Sequence, residues 1–198
     1  MGPAGIAMFG LGVSYSMAFI ALLAMAPLFF QDFHGYSSAS TGIAFAVMLV
    51  GGGLAAPLMG QASDRFGRKR MVVIGALIAV IGILMAAFTN NTVLLLMGAT
   101  AGATALAGVR PVYLAAAVEM AGKRESTSLG LIYAVMDGIG ATGGLLAGLA
   151  GTHDLRYALV FAAGASLMTA LFALAHPFTV HEVITVETMR TRIADDQA

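Results

Sequence analysis

The chain has 198 residues, of which 59% are hydrophobic and 10% charged, with a formal net charge of +0. Soluble domains average about 45–50% apolar and roughly 25% charged residues, so this composition excludes an ordinary water-soluble fold. The neutral balance offers no electrostatic pull on nucleic acid, and the absence of cysteine excludes disulfides, thiolate metal sites and cysteine nucleophiles.

A helix needs about 20 mainly apolar residues to cross a hydrocarbon core of ~30 Å. Six stretches meet this, at 6–30, 40–62, 71–88, 92–117, 127–150 and 156–176, separated by short polar breaks. Residues 1–177 therefore read as one all-α integral membrane domain, with a polar tail at 178–198. Val180, Val183, Val186, Met189 and Ile193 recur at helical spacing in that tail, so it is expected to lie on the membrane surface.

The first stretch carries Ser14, Tyr15 and Ser16, and Pro27 near its end. In the break after it, Asp32 and His34 read as solvated loop residues. The second stretch places Gly42, Ala46, Gly53, Ala56 and Gly60 on one face at 100° per residue, which predicts a close helix contact. The third and sixth have no ionisable residue in their interiors and suit a lipid-facing position. The fourth holds Arg110 and Tyr113. In the fifth, Gly130, Tyr133, Asp137, Gly140, Gly144 and Gly148 share one face, a second small-residue contact surface. Pro57 and Pro111 join Pro27 as expected kinks.

Basic residues orient the chain. Arg65, Arg68, Lys69 and Arg70 flank the second break, Lys123 and Arg124 the fourth, and Arg190 and Arg192 lie in the tail, all on one side. The other side has Arg156 alone. The positive-inside rule then puts both termini in the cytoplasm of a multi-pass protein of the cell membrane.

Arg110 and Asp137 fall within the apolar stretches, where a charge costs at least about 2.5–3.5 kcal/mol, so each is a functional candidate. Their similar depth makes them plausible partners. The alternative is a static ion pair that orients two helices.

Between the second and third stretches stands Gly60-Gln61-Ala62-Ser63-Asp64-Arg65-Phe66-Gly67-Arg68-Lys69-Arg70. This resembles the signature G-x-x-x-D-R-x-G-R-K/R of the major facilitator superfamily, in the loop where that family carries it. Glu119-x4-Arg124 is similar to the family's acidic–basic loop before a glycine-rich helix. Gly140-x3-Gly144-x3-Gly148 resembles the antiporter signature, with Leu145 in place of its proline. That departure tilts the resemblance toward the C-terminal half of a family transporter, as does the tail.

The resemblance implies a six-helix half built as a 3+3 inverted repeat, paired with a second six-helix half upstream, on a separate polypeptide or on a second copy. It implies that the first and fourth helices line a solute path, making Ser14, Tyr15, Ser16, Arg110 and Tyr113 cavity candidates. The second and fifth would meet the other half, with Tyr133 and Asp137 near that seam. The expected activity is alternating-access transport of a small solute, with proton coupling through Asp137. The competing reading is a non-transporting membrane module or a fragment of a larger transporter. No cofactor or metal is implied, and no G-x-S-x-G, H-E-x-x-H or P-loop motif points to an enzyme.

Overall fold

The computed structural model describes residues 3–121 and 125–175. Side chains are described from 5 to 117 and from 130 to 175, apart from Leu131, Ile132, Val135 and Asp137. The tail at 178–198, with its expected surface helix, lies outside the described residues, as do Lys123 and Arg124. Six α-helices follow one another: α1 (Pro3–Leu28), α2 (Ser38–Phe66), α3 (Arg68–Phe88), α4 (Thr92–Ala121), α5 (Glu125–Ala150) and α6 (Leu155–Ala175). A single π-turn, Phe29–Phe33, extends α1. Five of these helices are long and apolar enough to cross a membrane, and the Gly138–Ala150 stretch of α5 is a shorter apolar helix.

Short polar residues start the helices. The Ser37 side chain accepts from the Ser40 amide at 3.2 Å and begins α2. Asn91 Oδ1 accepts from Val93 at 2.9 Å and Leu94 at 3.3 Å at the head of α4. Asp154 Oδ1 accepts from the Arg156 amide at 2.9 Å at the head of α6. Each satisfies backbone donors that the first helical turn leaves without partners.

The contacts between helices have an internal symmetry. α1 packs on α5 and α6, and α4 packs on α2 and α3. α3 meets α6, α1 meets α4, and the lesser contacts α2 with α3 and α5 with α6 complete the pattern. Exchanging α1 with α4, α2 with α5 and α3 with α6 maps every one of these pairs onto another pair in the set. The bundle is thus a 3+3 repeat, as expected. α2, α4, α1 and α5 stand in a row, with α3 and α6 behind them. In α2 only 17% of the most apolar window is buried, against 56% in α1, so α2 is an edge of the row and α1 its centre.

Glycine sets the closest approaches. A Cβ on Gly82 of α3 would lie 2.7 Å from the Gly98 carbonyl oxygen and 2.8 Å from the Gly102 nitrogen of α4. No side chain fits between these backbones. Between α1 and α5, a Cβ on Gly143 would meet the backbone of Met17 at 2.5 Å. In lipid, where burying apolar surface gives helices no mutual attraction, such van der Waals contact drives association. Hydroxyl bonds add to it: Ser14 and Thr169 are joined at 3.1 Å, and Ser166 Oγ donates to the Ala76 carbonyl at 3.0 Å.

Candidate functional site

The basic turn is tighter than its sequence suggests. Residues 63–70 read as a polar break, yet α2 runs through Phe66 and α3 begins at Arg68, leaving Gly67 as the whole connection. Gly67 has φ 90°, a conformation that side chains with a Cβ rarely adopt, and its amide donates to the Ser63 carbonyl at 2.9 Å. Polar residues continue these helices beyond the apolar layer, because a helix satisfies its own backbone wherever it lies. Asp64, Arg65 and Arg70 are exposed, and Arg68 and Lys69 are half-buried. Gly60 receives the Ser63 hydroxyl on its carbonyl at 2.7 Å and has open space where a side chain would be. Lys69 Nζ donates to the Leu174 carbonyl at 2.7 Å.

Arg110 lies on α4, with its guanidinium carbon 5.6 Å from the centre of the Tyr133 ring on α5. Counting from the helix ends nearest the basic turn, the two residues lie about 17 and 12 Å along their axes. They therefore sit inside the thickness of a bilayer core. Arg110 is half-buried and Tyr133 exposed, so the pair occupies an open seam between α4 and α5. A ring face beneath a guanidinium supplies partial negative charge. One turn below the Arg110 side chain, Tyr113 is buried with its hydroxyl against Gly12 of α1. Tyr15 is also buried and stacks on Phe19 at 6.0 Å. Asp137 follows Tyr133 by one helical turn on α5, and its side chain is outside those described.

Of the candidates suggested by the resemblance, the structure brings Arg110 and Tyr133 together and sets Tyr113 on α1. Ser14 and Ser16 sit in helix contacts: Ser14 bonds to Thr169 of α6, and Ser16 lies under Gly140 of α5. The glycine ridge of α5 rests on α1 within the same chain. A Cβ on Gly140 would lie 2.5 Å from that of Ser16, while Gly144 lies by Ile20 and Gly148 by Met25 at ordinary contact distance. On α2 the ridge is open instead, with nothing within 4 Å of a Cβ built on Gly42, Gly53 or Gly60. An apolar groove of about 490 Å³ also runs between α1 and α6, bounded by Phe9, Val13, Met17, Phe161, Met168 and Phe172. Its one polar side chain, Ser14, is already bonded to Thr169.

At the opposite end of the bundle is a cluster the sequence did not announce. The guanidinium of Arg156, in the first turn of α6, lies 4.5 Å over the Phe33 ring. Phe33 stacks on Phe29 at 4.9 Å, and His34 meets both rings edge-on at 5.3 Å. Gly35, at φ 67°, turns the chain, and Tyr36 folds back to stack on Phe30 at 5.7 Å. Burial, and then the charge of Arg156, hold the His34 imidazole below its usual pKa of 6.5. His34 is half-buried, with its ring against the two phenylalanines and its Nε2 buried, while Asp32 is exposed as expected of a loop residue. A glycine directly before a tyrosine that ends an aromatic run, F-F-x-x-F-H-G-Y, is the signal that could have revealed the turn.

Comparison with known proteins places these features. The chain is 35% identical over 107 residues to the glucose transporter GlcP of Staphylococcus epidermidis, covering 52% of this chain and 23% of that protein. It is 34% identical over 87 residues to a triacylglyceride transporter of Mycolicibacterium smegmatis, covering 44% of this chain and 14% of the relative. The matched segments thus span less than a quarter of either relative. The family model described as Major Facilitator Superfamily matches residues 7–189. Because that match runs through all six helices and not through the basic turn alone, this multi-pass membrane chain belongs to the Major Facilitator Superfamily.

Proposed function

We propose that the chain is one six-helix half of a secondary active transporter, moving a small solute by alternating access. The observation that carries this reading is Arg110, a half-buried cation at membrane depth in the open seam between α4 and α5. A guanidinium at that depth is stabilised where a polar path or a polar ligand reaches it. The row α2–α4–α1–α5 supplies a face for a second half, since α2 is almost uncovered and its glycines stand open. The two relatives are named for glucose and for triacylglyceride, so the cargo classes to try first are hexoses and neutral lipids. Asp137, one turn from Tyr133, is the proposed proton carrier. Orientation with both termini in the cytoplasm rests on the distribution of Lys and Arg.

Reconstitution in proteoliposomes tests this. Gradient-driven uptake of a hexose or transfer of a labelled neutral lipid is expected from the paired assembly, with loss in Arg110→Gln at unchanged expression. Asp137→Asn is expected to abolish flux driven by a pH gradient while equilibrium exchange of labelled cargo persists. Undiminished gradient-driven flux in Asp137→Asn would remove the coupling role. Transport by a monodisperse six-helix monomer would overturn the half-unit reading. The absence of any flux from a correctly paired assembly would favour a non-transporting membrane module.

A further inference from the structure

We propose that His34 is the acid-sensitive release of a clasp that ties the end of α1 to the start of α6. The clasp is the Arg156 guanidinium seated on Phe33, and it joins two elements more than a hundred residues apart in the chain. Its base is a stacked pair: Phe29 and Phe33 lie with an interplanar angle of 7°, one turn apart on the π-turn. His34 leans edge-on against that same pair and against Tyr36 at 6.4 Å, so the imidazole and the guanidinium share one aromatic platform.

A neutral imidazole suits this position and an imidazolium does not. Its Nε2 is buried and has no hydrogen-bond partner among the described residues, so a second proton there finds no acceptor. The groups facing it are few. Arg156 approaches from α6 and Tyr36 from the segment before α2, while Asp32 on the π-turn and His153 are exposed. Asp154, the nearest carboxylate in sequence to Arg156, already receives the Arg156 backbone amide at the head of α6. Among the described residues neither His34 nor Arg156 forms an ion pair, so protonation of His34 sets two cations against one platform. Repulsion is relieved when one of them leaves the platform, and Gly35 beside His34 supplies a backbone able to turn.

The direction follows from linkage. Packing holds His34 below its free value of 6.5, so the closed clasp binds fewer protons than the open one. The closed form has its full advantage above pH 6.5 and loses it as the pH falls through the lower value of the packed imidazole. Opening takes up one proton, and it frees the end of α1 from α6 without disturbing the glycine contacts deeper in the bundle.

The absence of cysteine permits a direct test with the full chain in lipid bilayers, buffered equally on both sides so that orientation does not matter. Spin labels on Gln31→Cys and Tyr157→Cys, both exposed sites, report the separation of the two ends. The expected result is a narrow distance distribution at about pH 8 and a longer, broader one at about pH 5, with a midpoint below 6.5. His34→Gln is expected to keep the narrow distribution at both pH values, and Arg156→Gln to show the broad one at both. His34→Asn serves as a second neutral variant should His34→Gln fail to assemble. A wild-type distribution that does not change with pH overturns the proposal, and so does the same change in a folded His34 variant.

Discussion

Lys69, in the first turn of α3, places its ammonium on the carbonyl oxygen of Leu174, 2.7 Å away on the neighbouring helix α6. An ammonium on a carbonyl oxygen is a charge-assisted hydrogen bond, and this one ties the root of α3 to α6. Part of the basic run in the family signature thus acts within this six-helix unit, joining the pair α3 and α6 that the internal symmetry exchanges.

Removing that bond should loosen α6 locally. In Lys69→Met, hydrogen exchange at 171–175 is expected to quicken, with a stability loss of about 0.5–1.5 kcal/mol, the usual net range for one hydrogen bond. Lys69→Arg should restore most of the protection. Unchanged exchange at 171–175 in Lys69→Met would show that the contact does not hold the helix end.

The crossing of α3 and α4 allows a sharper contrast. Gly82→Val puts carbon atoms where the backbone of α4 lies and is expected to destabilise the bundle by about 1–3 kcal/mol or more. Gly53→Ala, with open space around it, should leave unfolding in mild detergent within about 0.5 kcal/mol of the wild type. Equal effects at the two sites would contradict the packing described.

Orientation can be read by labelling. An impermeant maleimide applied to intact cells should modify Ser38→Cys and spare Phe66→Cys, because the basic turn is expected in the cytoplasm. Phe66 is the better inner probe: it is 64% exposed, whereas Ser63 is buried and would resist labelling on either side. Modification of Phe66→Cys alone would invert the proposed topology.

The guanidinium–ring contact between α4 and α5 separates size from electrostatics. Tyr133→Phe keeps the ring face and should retain the thermal midpoint of the wild type, whereas Tyr133→Leu should lower stability by about 0.5–2 kcal/mol. In the Arg110→Gln background the two Tyr133 variants should no longer differ. A difference that persists there would assign the effect to packing rather than to charge.

Much of this architecture was legible in the chain because lipid imposes a coarse rule. Apolar runs of spanning length, broken by Ser, Asn, Asp and basic residues, located all six helices, and 71–88 differs from the observed Arg68–Phe88 only where basic residues continue the helix. Periodicity also found the glycine ridge of α5, but a face does not name its neighbour: Gly140 and Gly144 rest on α1 of the same chain. The aromatic clasp stayed hidden for a related reason. Phe33 and Arg156 belong to different repeats, and no local pattern records which loop meets which helix end. Helical phase placed Tyr133 and Asp137 on one face, and the ring beneath Arg110 emerged only where α4 and α5 touch beside α1.

The single-glycine joint has a mechanical consequence. With only Gly67 between them, α2 and α3 are two arms of one bell crank, and no slack exists to absorb a tilt of the first before it reaches the second. α2 is the edge helix, held chiefly by α4, while α3 is locked to α4 through backbone contact at Gly82. Any force that swings α2 from outside is therefore delivered as torque at the root of α3. There Lys69 passes it to α6, the neighbouring helix from the other repeat.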